Sequence, residues 1–152
     1  MALTIVQAII FISYVSFLMI KFKGPIPSIS DSWYLLPGRL KFLFTLFCYS
    51  IGILMLYQQA PSELFFLSGT SLSFVGLSCS FKDNWITPYV HYAGASLCII
   101  LALLGIGFVL HSWVPLIFFI ISSLTIDYFK IKNEIWWIEI AAFIFIILGL
   151  LF

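Results

Sequence analysis

The sequence predicts an all-α protein, a polytopic transmembrane bundle of six helices with both termini on the non-cytoplasmic side. Three observations carry that expectation. The 152 residues are 63% hydrophobic and only 9% charged, with a mean hydropathy of +1.18, and a soluble domain of this size needs far more polar surface. The apolar segments approach the roughly 20 helical residues that cross a hydrocarbon core. Finally, all seven basic residues fall in the first, third and fifth of the five polar breaks: Lys21, Lys23, Arg39 and Lys41, then Lys82, then Lys130 and Lys132. Basic residues collect on the cytoplasmic face of membrane proteins, so alternate breaks mark alternate sides.

The segments follow in order, as one transmembrane domain over 1–152. The first, about 2–20, is apolar throughout. No basic residue precedes it and no small-residue cleavage site follows it, so it reads as a retained helix and not a signal peptide. Gly24-Pro25 and Pro27 stop it. The second spans about 40–58 and the third about 63–81. The fourth, about 88–110, carries Pro88 in its first turn, where proline is well tolerated. The fifth, about 113–129, opens on Pro115 and is shortened by Asp127; the sixth covers about 134–152. Tight turns around 58–62 and 111–114 require antiparallel neighbours. Trp33, Tyr34, Tyr57, Trp85, Tyr89, Trp113, Tyr128, Trp136 and Trp137 fall near segment ends, where amphipathic rings form interfacial belts.

The third and fourth segments look like the packing centre. Gly69, Ser71, Ser73, Gly76, Ser78 and Ser80 lie on the third; Gly94, Cys98, Ala102 and Gly105 lie on the fourth. Small residues let helix backbones approach closely in lipid. Ser78 and Ser80 could alternatively line a polar cavity. Cys48, Cys79 and Cys98 are odd in number, lack CxxC spacing and read as packing residues.

The polar residues inside apolar segments point to a site. Glu139 sits in the run IWWIEIAAF, about 9 Å below Asn133 at 1.5 Å per residue. Asp127 and His91 fall at similar shallow depth. Ionisable residues in membrane helices usually face a protein interior or a water-filled cavity. The expectation is one cytoplasmic-side pocket where His91, Asp127 and Glu139 converge with Ser28, Ser30, Asp31, Lys82 and Asp83 as ligand-binding residues. Structural alternatives stand beside it. Asp127 could pair with Lys130 or Lys132 at helical spacing, His91 could bond a backbone carbonyl, and Lys82–Asp83 could be a solvated turn.

The first break, KFKGPIPSISDSWYLLPGRLK, is the longest. Ser30 or Asp31 can cap a short helix running to Leu36, ended by Pro37-Gly38. Such a helix would lie in the interface with Trp33, Tyr34, Leu35 and Leu36 dipping into lipid. It reads either as a structural lid over the bundle or as a lipid-facing gate.

PSISD after the first segment, the FKDNW turn, and VHYAGA opening the fourth segment resemble the Frag/DRAM/Sfk-like six-helix membrane proteins and their bacterial relatives. The likeness maps to Pro27, Ser28, Ile29, Ser30, Asp31, His91, Gly94 and Ala95. It implies the six-helix layout and a lipid-related role, such as remodelling of lipid anchors or membrane lipid organisation. In the group's eukaryotic members the first loop faces away from the cytosol, whereas the lysines here place it inside.

No HExxH, GxSxG, P-loop or dinucleotide fingerprint occurs, and no cofactor is implied. Two histidines on opposite faces cannot make a His-rich zinc site, and no metal is expected; a site of His91 with two or three carboxylates is the alternative, without matching ligand spacing. A net charge of +1 implies no nucleic-acid partner. The expected function is binding of a lipid headgroup or small ligand in that pocket, in a plasma or bacterial inner membrane, with membrane lipids and a possible second copy of the chain as partners. A lipid-modifying enzyme using His91 and the carboxylates is the alternative, Ser78 or Ser80 serving as nucleophile in one version. An oligomeric pore or proton pathway is a second alternative.

Overall fold

The computed structural model describes residues 1–57, 62–78 and 87–152. The chain is all-α: the described residues form seven α-helices and one 3-10 turn, and no strand. They are α1 (Ala2–Phe22), α2 (Ser32–Leu35), a 3-10 turn (Gly38–Lys41), α3 (Phe42–Leu56), α4 (Glu63–Ser78), α5 (Thr87–Val109), α6 (Val114–Tyr128) and α7 (Glu134–Leu151). The six long helices fall where the hydropathy places the six segments. Four stretches are long and apolar enough to cross a membrane: Ala2–Phe22, Gly38–Leu56, Tyr89–Val109 and Glu134–Leu151. Glu63–Leu77 and Val114–Tyr128 are apolar but shorter. Outward faces carry large exposed apolar side chains, such as Ile12, Phe66, Phe118 and Leu124. A surface of that kind suits hydrocarbon and not water.

The helix ends follow local chemistry. α1 stops because Lys23 turns left-handed at φ 57° and the Gly24 N–H reaches back to the Met19 carbonyl, a glycine-assisted C-terminal closure. Gly24 itself sits at φ 148°, where a side chain would be strained. α6 begins with Pro115 in its first turn.

Five helices form a ring. α1 packs on α3 and α7, α4 lies between α3 and α5, and α5 closes against α7, while α6 packs outside on α5 and α7. The α3–α4 crossing is set by facing glycines. A Cβ on Gly52 would lie 2.7 Å from the Gly69 carbonyl oxygen. Gly76 presses on Cys48, and on the other side of α4 Val75 meets Gly94. The small residues of α4 therefore serve two neighbours, α3 as well as the anticipated α5, and bring backbones together as membrane packing requires.

α1 faces the ring with Thr4, Gln7, Phe11, Tyr14 and Leu18, all buried. Their spacing of three and four is a narrow helical seam. Phe11 stacks on Phe143 of α7 at 4.9 Å, and Tyr14 on Phe47 of α3 at 4.5 Å. The first stack sets the register of α1 against the antiparallel α7, and the second that of α1 against α3.

The first break is folded partly into the bundle. Ile26, Ile29 and Leu36 are buried in the bundle core, and Trp33 packs against it; Tyr34 and Leu35 remain exposed. The expected lipid-dipping face is thus divided, because three apolar side chains of this stretch are buried in the protein interior. Asp31 occupies the N-cap position of α2 without a side-chain cap. The Ser28 hydroxyl instead accepts the Asp31 N–H at 3.0 Å.

Candidate functional site

A partly enclosed cavity occupies the centre of the five-helix ring. Its walls come from α1, α3, α4, α5, α7 and the first break, and α6 contributes none. The walls are almost wholly apolar, including Phe47, Ile51, Leu72, Phe143 and Ile146. Its volume is about 50 Å³, room for roughly three to five waters.

Polar groups stand at its two ends. At one end the carboxylate of Glu139 accepts the Ile29 backbone N–H, and the Ser30 hydroxyl also bonds it. Ser30 meets Ser28 at 2.9 Å, and Ser28 holds Asp31. The hydroxyls of Ser28 and Ser30 thus tie the break to α7 and shape its turn. Two further contacts reinforce the tie. Asn133 Nδ2 donates to the Pro25 carbonyl at 2.8 Å, and the Trp136 N–H to the Pro27 carbonyl at 3.1 Å. That N–H lies in the first turn of α7, where backbone donors have no helical partner. Asn133, Trp136 and Glu139 recur every three residues, so one stripe of α7 holds the whole segment. On its far side, the Tyr14 and Ser32 hydroxyls meet at 2.6 Å. The first break is therefore a plug over the cavity mouth.

His91 stands close to this end. Its ring bonds the Val75 backbone and interacts electrostatically with Asp31, and it lies 6.4 Å from the Phe44 ring. The structure thus brings Ser28, Ser30, Asp31, His91 and Glu139 to one end of the bundle. Asp127 is elsewhere, on α6 outside the ring, exposed and paired with Lys130 at 2.6 Å. The pairing alternative describes it, and that hydrogen bond and charge raise the Lys130 pKa. Lys82, Asp83 and Ser80 lie outside the described residues, and of Ser78 only the backbone is described. Among the described residues, no group of three or more His, Cys, Asp or Glu side chains is placed to hold a metal ion.

At the opposite end stands Gln7, which the site expectation omitted. It is 2% exposed, it lines the cavity, and neither its Nε2 nor its Oε1 has a hydrogen-bond partner among the described residues. Its position on the Thr4–Gln7–Phe11–Tyr14–Leu18 seam was the available signal, since that stripe obliges the amide to face inward. Gln7 lies four residues from Phe11 and Glu139 four from Phe143, in opposite senses, which separates them by about 12 Å along the bundle.

The architecture defines a class: an all-helical protein with apolar membrane-spanning candidates and an internal apolar cavity. Comparison with protein-family models, curated proteins and solved structures finds no match to this chain.

Proposed function

We propose that this is a six-pass integral membrane protein, with both termini on the non-cytoplasmic side of a plasma or bacterial inner membrane, that binds a lipid through one of its chains. The observation that carries the reading is the ring-centre cavity, apolar along its walls and polar only toward its ends. Burial of apolar surface in such a slot is favourable at about 25 cal/mol per Å². The polar lining is confined to Ser30 and Glu139 at the plugged end and Gln7 at the other, so the polar group of a bound lipid belongs at one of those ends. The alternating basic breaks support the orientation.

A lipid-modifying enzyme is less well supported. His91 is bonded to the Val75 backbone, Asp127 is paired with Lys130 away from it, and the Ser78 side chain and Ser80 lie outside the described residues. The test is native mass spectrometry of the protein released directly from membranes. Retention of one lipid class at about one copy per chain supports binding in the cavity. A nonselective ladder of bulk lipids, unchanged by substitutions in the cavity wall, contradicts it.

A further inference from the structure

We infer that the Gln7 end of the cavity recognises a neutral hydroxyl or carboxamide carried on the bound apolar chain. The inference rests on the chain-binding reading above and adds the chemistry of the ligand's polar group.

Gln7 is the starting point. Buried polar side chains nearly always have partners, and an amide in apolar surroundings without one is unfavourable. The Gln7 amide is buried, lines the cavity and lacks a partner on both its nitrogen and its oxygen among the described residues. The nitrogen donates and the oxygen accepts. A group that satisfies both must itself accept and donate. A hydroxyl, whether of an alcohol or of a protonated carboxylic acid, or a carboxamide does so; an ester carbonyl or an ionised carboxylate only accepts, and an ammonium only donates.

Charge sharpens the choice. Among the described lining residues there is no Lys or Arg, and the sole carboxylate, Glu139, lies at the other end. A charged group beside Gln7 would therefore be buried without a counter-ion, which is strongly unfavourable. Together these features select an apolar molecule with one neutral donor–acceptor group, either free or as part of a lipid.

The experiment uses the full-length protein in phosphatidylcholine nanodiscs and photolabelling probes carrying the same diazirine. Decanol, decanamide and decane compare the polar groups; a ceramide with the diazirine on its acyl chain presents the same groups from a lipid. We expect decanol, decanamide or ceramide to label Met55, Ile146 and Ile147 about tenfold more than decane does, one hydrogen bond in a dry site giving a factor of that order. In Gln7→Leu the advantage disappears while decane labelling persists. Gln7→Met, which also conserves volume, provides a second variant should the first fold poorly. Ceramide labelling without decanol labelling makes the ligand a lipid; the reverse makes it a free molecule; either supports the inference. Equal labelling of wild type by polar probes and decane overturns the role of Gln7 and leaves chain binding intact. Absence of cavity labelling by every probe overturns both.

Discussion

Glu139→Ala should release the plug over the cavity mouth. The carboxylate is the acceptor for the Ile29 N–H and bonds the Ser30 hydroxyl. Alanine leaves both groups without that partner in a partly buried setting. Each lost partner costs about 1–2 kcal/mol, so the plug loses roughly 2–4 kcal/mol of local stability. Amide exchange from local opening should then accelerate roughly 30-fold to several hundredfold. The assay is hydrogen–deuterium exchange followed by mass spectrometry, read over residues 25–36 against α3 and α4 as internal controls. Glu139→Gln keeps one carbonyl acceptor and should give an intermediate rate. Unchanged exchange over 25–36 in Glu139→Ala would refute the reasoning, because the carboxylate would then not hold the segment. Uniform acceleration across α3 and α4 would also count against it, since that reports global destabilisation.

Other substitutions probe the remaining contacts. Gly69→Ala places a Cβ 2.5 Å from the Gly52 carbonyl oxygen, and should lower stability by about 1–3 kcal/mol in detergent unfolding. Gln7→Leu removes an unpartnered buried amide, and should raise the stability of ligand-free protein by about 1–2 kcal/mol. Asp127→Asn breaks an exposed pair, and should leave both the melting temperature and lipid retention unchanged, as such pairs contribute little. Cysteine labelling from either side of sealed vesicles should place the 24–38 and 130–133 breaks on the cytoplasmic face and residue 112 on the opposite one; any other pattern contradicts the orientation.

Much of the architecture was legible because it depends on one-dimensional properties. Apolar runs and helix-breaking residues locate the long helices of the described residues, and Gly24-Pro25 ends α1 as the sequence suggests. The site was only partly legible. Glu139 and His91 were found because an ionisable residue in an apolar run is conspicuous. Asp127 is just as conspicuous, but its role depends on which helices enclose the centre, and hydropathy does not reveal that α6 lies outside the ring. Gln7 was overlooked for the opposite reason. It is neutral and alone in an apolar helix, and its significance emerges only when the Phe11–Phe143 stack turns that face inward. The plug is a similar case. Its Ser, Pro and Asp residues resemble an exposed loop, whereas Ile26, Ile29 and Leu36 are buried in the core.

The most direct test of the central claim is to fill the cavity. Ala142 is 1% exposed and lines it from α7. Ala142→Phe would occupy the space of a bound chain. Native mass spectrometry of wild type and variant, released from the same membranes, measures the lipid carried by each. The account predicts about one lipid per wild-type chain and loss of that lipid in Ala142→Phe, with the helical circular dichroism unchanged. Equal lipid on both proteins would contradict it, because the bound lipid would then lie outside the cavity.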